Sequence, residues 1–386
     1  MNSALITNSE SAVDLDYYSK YIIGRTALVA QGGGQRGIFT SGVLDSFLLS
    51  NFDPFDDFFG TSAGALNLCA FVCREQGLGK SFITELTTSP EFFNLFSYIR
   101  HNKGLGLEWA LEQVFSYPYK LDIDLGRQVL GNRNIFAAVT DAQNLSDHYF
   151  PLFGDEWYKA MLATCAIPRL YNGEVIIGDR SYVDGGVSAC IPVQEAWRRQ
   201  ARSIVVIRTE PVLEENEPIG NDEMGSHPPK AISVEELEWF RESFSSVQGH
   251  WQQRVEQWKT DWTSFFQQQI SRSKEQKKER NNLDLLNGGR WLFGADDIYR
   301  LSHLVGDKFD SGLADMLMVH YQTYSLTQDF LNNPPDDTYI VQIAPSQPLK
   351  SSSLMSDKED LLHDYQLGLE AGYRFIEAYS LVSHKN

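Results

Sequence analysis

Phe58-Phe59-Gly60-Thr61-Ser62-Ala63-Gly64-Ala65-Leu66 is the stretch whose reading decides the fold. It is a G-x-S-x-G segment from Gly60 to Gly64, entered from an apolar run. It continues into Asn67-Leu68-Cys69-Ala70-Phe71-Val72-Cys73, which suits a helix. A strand, a sharp turn and a helix would carry Ser62 on a nucleophile elbow. The flanking glycines fit because a Cβ at either position would collide with the neighbouring strand or helix. Ser62 would then sit at the first helical turn, where the dipole and the free N–H groups favour negative charge. The five-residue pattern alone recurs by chance, so its surroundings must carry the argument.

Upstream, Thr26-Ala27-Leu28-Val29-Ala30 has the composition of a buried parallel strand. It runs into Gln31-Gly32-Gly33-Gly34-Gln35-Arg36-Gly37, and a helix is expected from Ile38 to Leu49. Strand, glycine loop and helix converge backbone amides on one point, an arrangement for a phosphate or an oxyanion. Gly32, Gly34 and Gly37 also spell G-x-G-x-x-G, so a nucleotide-binding reading must be weighed. That fingerprint wants an acid about 20 positions on, at the end of the second strand. Asp53, Asp56 and Asp57 lie near that distance but precede Phe58-Phe59, and the strand leads into Gly60-Thr61-Ser62 instead of an acid. The context favours an oxyanion site.

Downstream, residues 80–134 read as mostly helical, with aromatic clusters around Phe92–Ile99 and Leu105–Val114. Ile135–Thr140 reads as a third strand and Glu156–Thr164 as a helix that ends before Ala166-Ile167-Pro168. Val175–Ile177 and Ser181–Val183 are short β runs, and the second leads into Asp184-Gly185-Gly186. Asp184 thus falls at a strand end, beside two glycines that admit close backbone. Helix through Ala196-Trp197, strand Ile204–Ile207, strand Thr338–Ile343 and helix Asp357–Tyr379 complete the pattern. From Leu237 to Phe265 apolar residues at spacings of three and four make one Trp-bearing stripe. Packing against a protein core is the plainer reading of that stripe; an interfacial helix or lid is the sharper one. The chain divides into a polar lead-in (1–24), an α/β domain (25–210), a helical insertion (211–337) and a closing strand and helix (338–386).

The 386 residues are 42% hydrophobic and carry a formal net charge of −18. That balance argues against nucleic-acid binding and against electrostatic adsorption to anionic lipid. The four cysteines, Cys69, Cys73, Cys165 and Cys190, form no C-x-x-C pair and read as reduced thiols. No metal site and no cofactor is expected. No signal peptide is visible, and the longest uncharged run, Phe58–Cys73, falls short of the ~18–20 residues of a spanning helix. A cytoplasmic location is the expectation.

The glycine loop, the Ser elbow and the strand-end Asp, in this order, resemble the patatin-like phospholipase family. The likeness rests on Gly32-Gly33-Gly34-Gln35-Arg36-Gly37, on Gly60-Thr61-Ser62-Ala63-Gly64 and on Asp184-Gly185-Gly186, with Ala166-Ile167-Pro168 adding to it. It covers about Thr26 to Ile207; Gln31 stands where the family often has an acid. The resemblance implies a three-layer α/β/α domain with a mostly parallel sheet, here with a helical insertion near the C-terminus. It implies a lipid acyl hydrolase of the phospholipase A or lysophospholipase type with a Ser62–Asp184 dyad and no histidine. Gly32, Gly33 and Gly34 would form the oxyanion hole, and Arg36 would fix the loop. Lipid or acyl-ester substrates and transient contact with a membrane surface are implied as well. The rivals are a nucleotide-binding α/β protein, a non-catalytic lipid binder, and a Ser-Asp-His triad drawing on His227, His303, His320 or His363.

Overall fold

Strand β3 (Arg25–Ala30) lies at the centre of one mixed, mostly parallel sheet. Its alternation sorts the core into two faces. Leu28 and Ala30 join Phe39, Phe47, Phe58 and Phe71 on one side. Ala27 and Val29 join Phe59, Ile204, Val206 and Ile340 on the other. A strand buried on both faces needs helices on both, which makes the architecture three-layered.

The computed structural model describes residues 2–14, 18–21, 24–95, 97–98, 103–212 and 311–383. They all belong to one compact unit. Parallel pairing runs from β1 (Ser3–Ile6) through β10 (Tyr339–Ile343), β9 (Ala201–Ile207), β3 and β4 (Asp57–Thr61) to β5 (Asn134–Asp141). Antiparallel strands finish the sheet: β2 (Ser11–Ala12) on β1, and β6 (Asp147–Pro151), β7 (Val175–Ile177) and β8 (Arg180–Asp184) beyond β5. Ser3–Ile6, expected as part of a loose lead-in, is an edge-side strand in register with Ile340–Ile343. β6 likewise has no counterpart among the expected strands.

The arrangement around β5 positions the site. β6 pairs with β5 from Phe136 to Thr140, filling one of its edges. Along the other edge β4 pairs as far as Ala138, opposite Thr61. β8 takes over that edge from Val139, opposite Asp184, running the other way. β4 and β8 therefore meet head to head, with Ser62 leaving the end of one and Asp184 ending the other.

Helix α1 (Gly37–Leu49) continues from the glycine loop and packs on the C-terminal helix α8 (Lys358–Ser383). The two approach through small residues: a Cβ on Gly42 would lie 2.2 Å from the Tyr365 carbonyl oxygen. Helix α2 (Ala63–Val72) leaves the elbow, α3 (Leu107–Gln113) and α4 (Ile123–Leu130) lie in the span read as helical, and α5 (Trp157–Cys165) precedes β7. α6 (Val193–Arg198) and α7 (Ser311–Asn332) cover the opposite face. Most of the expected 211–337 insertion, with its Trp-bearing stripe, lies outside the described residues. No helix among the described residues is long and apolar enough to cross a membrane.

Candidate active site

Ser62 is the N-cap of α2 and has φ 53°, ψ −126°, a strained conformation for a residue with a Cβ. Close packing enforces it. A Cβ on Gly60 would lie 2.5 Å from Ala65 Cα, and one on Gly64 would lie 2.5 Å from the Ala30 carbonyl oxygen. The turn is pinned from α5: Ser62 N–H donates to Thr164 Oγ1 (2.9 Å), whose hydroxyl donates to the Ala138 carbonyl (2.5 Å). Thr164 therefore links the elbow to the β5 residue at the β4–β8 junction. The sequence offers no sign of this role.

Asp184 is fully buried. Gly186 N–H donates to its Oδ1 at 2.7 Å, whereas Oδ2 has no hydrogen-bond partner. Burial pushes its pKa up to about 7, against the Gly186 N–H and the nearby Ser62 hydroxyl, which both favour the carboxylate. The influence of Ser62 and the unpartnered Oδ2 point different ways. The two side chains are adjacent but short of a formed hydrogen bond. Cys165 also neighbours both groups, and burial raises its thiol pKa, leaving it protonated. Gly185 is needed where it stands, since a Cβ there would lie 2.1 Å from the Ala138 carbonyl oxygen.

The glycine loop is held from three sides. Gly32 N–H donates to the Cys190 carbonyl (3.0 Å), and Gln35 N–H to the Ser353 carbonyl (2.9 Å). Gly34 has φ +56° and its missing Cβ would lie 2.3 Å from that same Ser353 oxygen. The amides of Gly33 and Gly34 have no hydrogen-bond partner among the described residues. Gly37 meets the elbow directly: a Cβ there would lie 2.9 Å from Ala63 Cβ, and its carbonyl accepts from Asn67 Nδ2 on α2 (2.9 Å). Arg36 pairs with Glu210 at 2.7 Å, both mostly buried. Burial opposes the Glu210 carboxylate, but Arg36, the Tyr324 hydroxyl and Arg208 hold its pKa below the usual value. Glu210, Tyr324 and Ser353 are further site-supporting residues without a sequence signal.

The structure also bears on the rivals. Asp57 opens β4 and is bound by Arg25 (2.6 Å), and Asp56 accepts from Thr26 N–H (2.8 Å). Both lie at the strand starts, whereas the glycine loop leaves the strand ends, roughly four residues or ~13 Å away. Neither acid therefore stands beside the glycine loop. Among the histidines, His227 and His303 lie outside the described residues. His363 pairs with Asp364 (3.0 Å), and His320 donates to the Gly186 carbonyl (2.5 Å). Neither reaches the Asp184 carboxyl.

Comparison with known proteins points to one family. A family model described as patatin-like phospholipase matches residues 28–197, and a domain of unknown function, DUF6363, matches residues 310–382. The uncharacterized protein YjjU of Escherichia coli K12 is 30% identical over 354 residues, 92% of this chain and 77% of that protein. The mouse (Mus musculus) 1-acylglycerol-3-phosphate O-acyltransferase Pnpla3 is 34% identical over 153 residues, 36% of this chain and 33% of its own. VipD from Legionella pneumophila covers 92% of this chain and 67% of its own at 9% identity, with a TM-score of 0.33. The chain belongs to the patatin-like phospholipase family. Membership supports a lipid hydrolase in general.

Proposed function

We propose that the protein hydrolyses acyl esters of lipids, as a phospholipase A or lysophospholipase, through a Ser62–Asp184 dyad. The observation that carries this reading is the buried Asp184 carboxyl beside Ser62, with one oxygen fixed by Gly186 and the other unengaged. Ser62 Oγ attacks the ester carbonyl carbon while its proton passes to Asp184. The bond to the leaving alcohol breaks and the alcohol takes that proton. Asp184, a carboxylate again, deprotonates water, which attacks the acyl-enzyme, frees the fatty acid and returns Ser62 to its hydroxyl form.

The tetrahedral oxyanion needs preorganised donors. The unengaged amides of Gly33 and Gly34 suit that role, with Ala63 N–H at the start of α2 as a third. Gly32, whose amide is committed to Cys190, holds the loop, and Arg36 fixes it through Glu210. The substrate is met at a lipid surface by transient contact. Free cysteines at all four positions support a reducing, cytoplasmic setting.

The test is hydrolysis of a p-nitrophenyl ester series by wild type, Ser62→Ala and Asp184→Asn, with phosphatidylcholine and lysophosphatidylcholine micelles in parallel. Turnover by wild type that both variants lose is the expected result. A folded wild type without turnover on any of these esters, or turnover surviving in Ser62→Ala, would overturn the proposal.

A further inference from the structure

Asp184 is oriented by the turn that succeeds it, so whatever holds that turn matters to the chemistry. Gly185–Val187 forms a single 3-10 turn, and Gly186, without a side chain, is fixed only through its backbone. Its N–H holds Asp184 Oδ1 at 2.7 Å. Its carbonyl is met at 2.5 Å by Nδ1 of His320, a residue of α7 that is 3% exposed. A carbonyl only accepts, so Nδ1 carries the proton and the ring tautomer is set.

We propose that His320 is a positioning residue for Asp184, holding Gly186 by its carbonyl while the Gly186 N–H holds the carboxyl. The inference rests on the Ser62–Asp184 reading given above. It also gives the segment matched by the domain of unknown function, residues 310–382, a part in the site.

The surroundings fit a neutral donor. Burial drives the His320 ring pKa down to about 4, so it brings no charge that would weaken Asp184 as a base. The ring stacks on Tyr324, one turn further along α7 (centroids 6.0 Å apart, planes at 16°). The Tyr324 hydroxyl donates to Glu210 (2.7 Å), and Glu210 binds Arg36 of the glycine loop. A single helix thus braces both the base and the loop proposed to hold the oxyanion. Loss of such bracing acts on kcat, because a displacement of about 1 Å at a reacting group can cost on the order of 100-fold in rate.

The experiment uses the full chain with His320→Phe, which keeps an aromatic ring without the donor, and His320→Asn, whose amide can donate from the position of Nδ1. With a soluble p-nitrophenyl ester, His320→Phe should lose about 10- to 100-fold in kcat with KM within about twofold, while His320→Asn recovers most of kcat. Ser62→Ala is measured alongside. Ser62-dependent turnover that His320→Phe leaves intact, or an equal fall in both variants, overturns the positioning role alone. Absence of Ser62-dependent turnover in wild type overturns the hydrolase reading and this inference with it. Nitrogen-15 NMR of the wild-type imidazole gives a readout that needs no variant. An Nδ1–H tautomer from about pH 5.5 to 9 is expected, and an Nε2–H tautomer would overturn the clamp.

Discussion

Replacing Asp184 by asparagine removes a carboxyl that the fold buries completely and holds at a pKa of about 7, against an ordinary 3.8. Linkage sets the sign. A carboxyl with a raised native pKa binds its proton more tightly in the folded state. The stability it confers is therefore full below about pH 4 and lost as the pH rises through about 7. A difference of about three pKa units corresponds to ~4 kcal/mol. Asparagine has no such titration. Its Oδ1 can keep the Gly186 N–H, although an amide donor now stands where Oδ2 had no partner, which costs about 1–3 kcal/mol at every pH. The absolute offset between the two proteins therefore matters less than its change with pH. Relative to wild type, the variant should gain ~4 kcal/mol between pH 4 and pH 8. At ~2 cal/mol/K per residue, 386 residues unfold with an entropy of about 0.8 kcal/mol/K, so the gain corresponds to ~5 °C in Tm. Differential scanning calorimetry of both proteins in a common buffer series reads this directly. Parallel Tm curves across that range would refute the buried, proton-retaining carboxyl.

The same geometry sets other outcomes. For wild type, log kcat/KM should rise with unit slope as Asp184 ionises and level off above about pH 7; a profile flat from pH 5 to 9 removes Asp184 as the base. Ser62→Gly relieves the positive φ that Ser62→Ala retains, so it should be the more stable of the two inactive proteins by about 1 kcal/mol in urea unfolding. Thr164→Val leaves the Ser62 N–H without its acceptor and should cost about 1–3 kcal/mol together with a fall in kcat, whereas Thr164→Ser preserves both; equal behaviour of the pair would count against the Thr164 pin. His320 has a native pKa near 4 against 6.5, so its contribution is present above pH 6.5 and lost as the pH falls through 4, an acid loss of ~3 kcal/mol that His320→Phe should lack in pH-dependent unfolding.

What the sequence reveals and what it hides divide along the range of the interactions. Gly60-Thr61-Ser62-Ala63-Gly64 is legible because strand, tight turn and helix are consecutive in the chain, and the glycines record collisions within a few residues of the turn or with the adjacent strand. Asp184 is legible through its two glycines. Thr164, Glu210, Tyr324 and Ser353 are not, because each reaches its partner across the fold: Thr164 is 102 positions from Ser62, and Glu210 174 from Arg36. Their residue types carry no local mark of the role. Ser3–Ile6 reads as a lead-in because four residues are too few to show a strand period. It becomes a strand by pairing with β10 at the far end of the chain. β6, Asp147–Pro151, is half-exposed and polar at its start, so it lacks the continuous apolar run by which the central strands announce themselves. His320 is, in the sequence, one of four histidines able to complete a triad. Its place against Gly186 cannot be read from a helical pattern alone.

The nucleophile is the central claim, and the intact mass of the protein after exposure to a fluorophosphonate, with peptide mapping of the product, tests it most directly. The account predicts one phosphonate adduct, carried on Ser62, absent from Ser62→Ala and formed much more slowly in Asp184→Asn. A folded protein that takes up no adduct, or that takes it elsewhere while Ser62 stays unmodified, would contradict it.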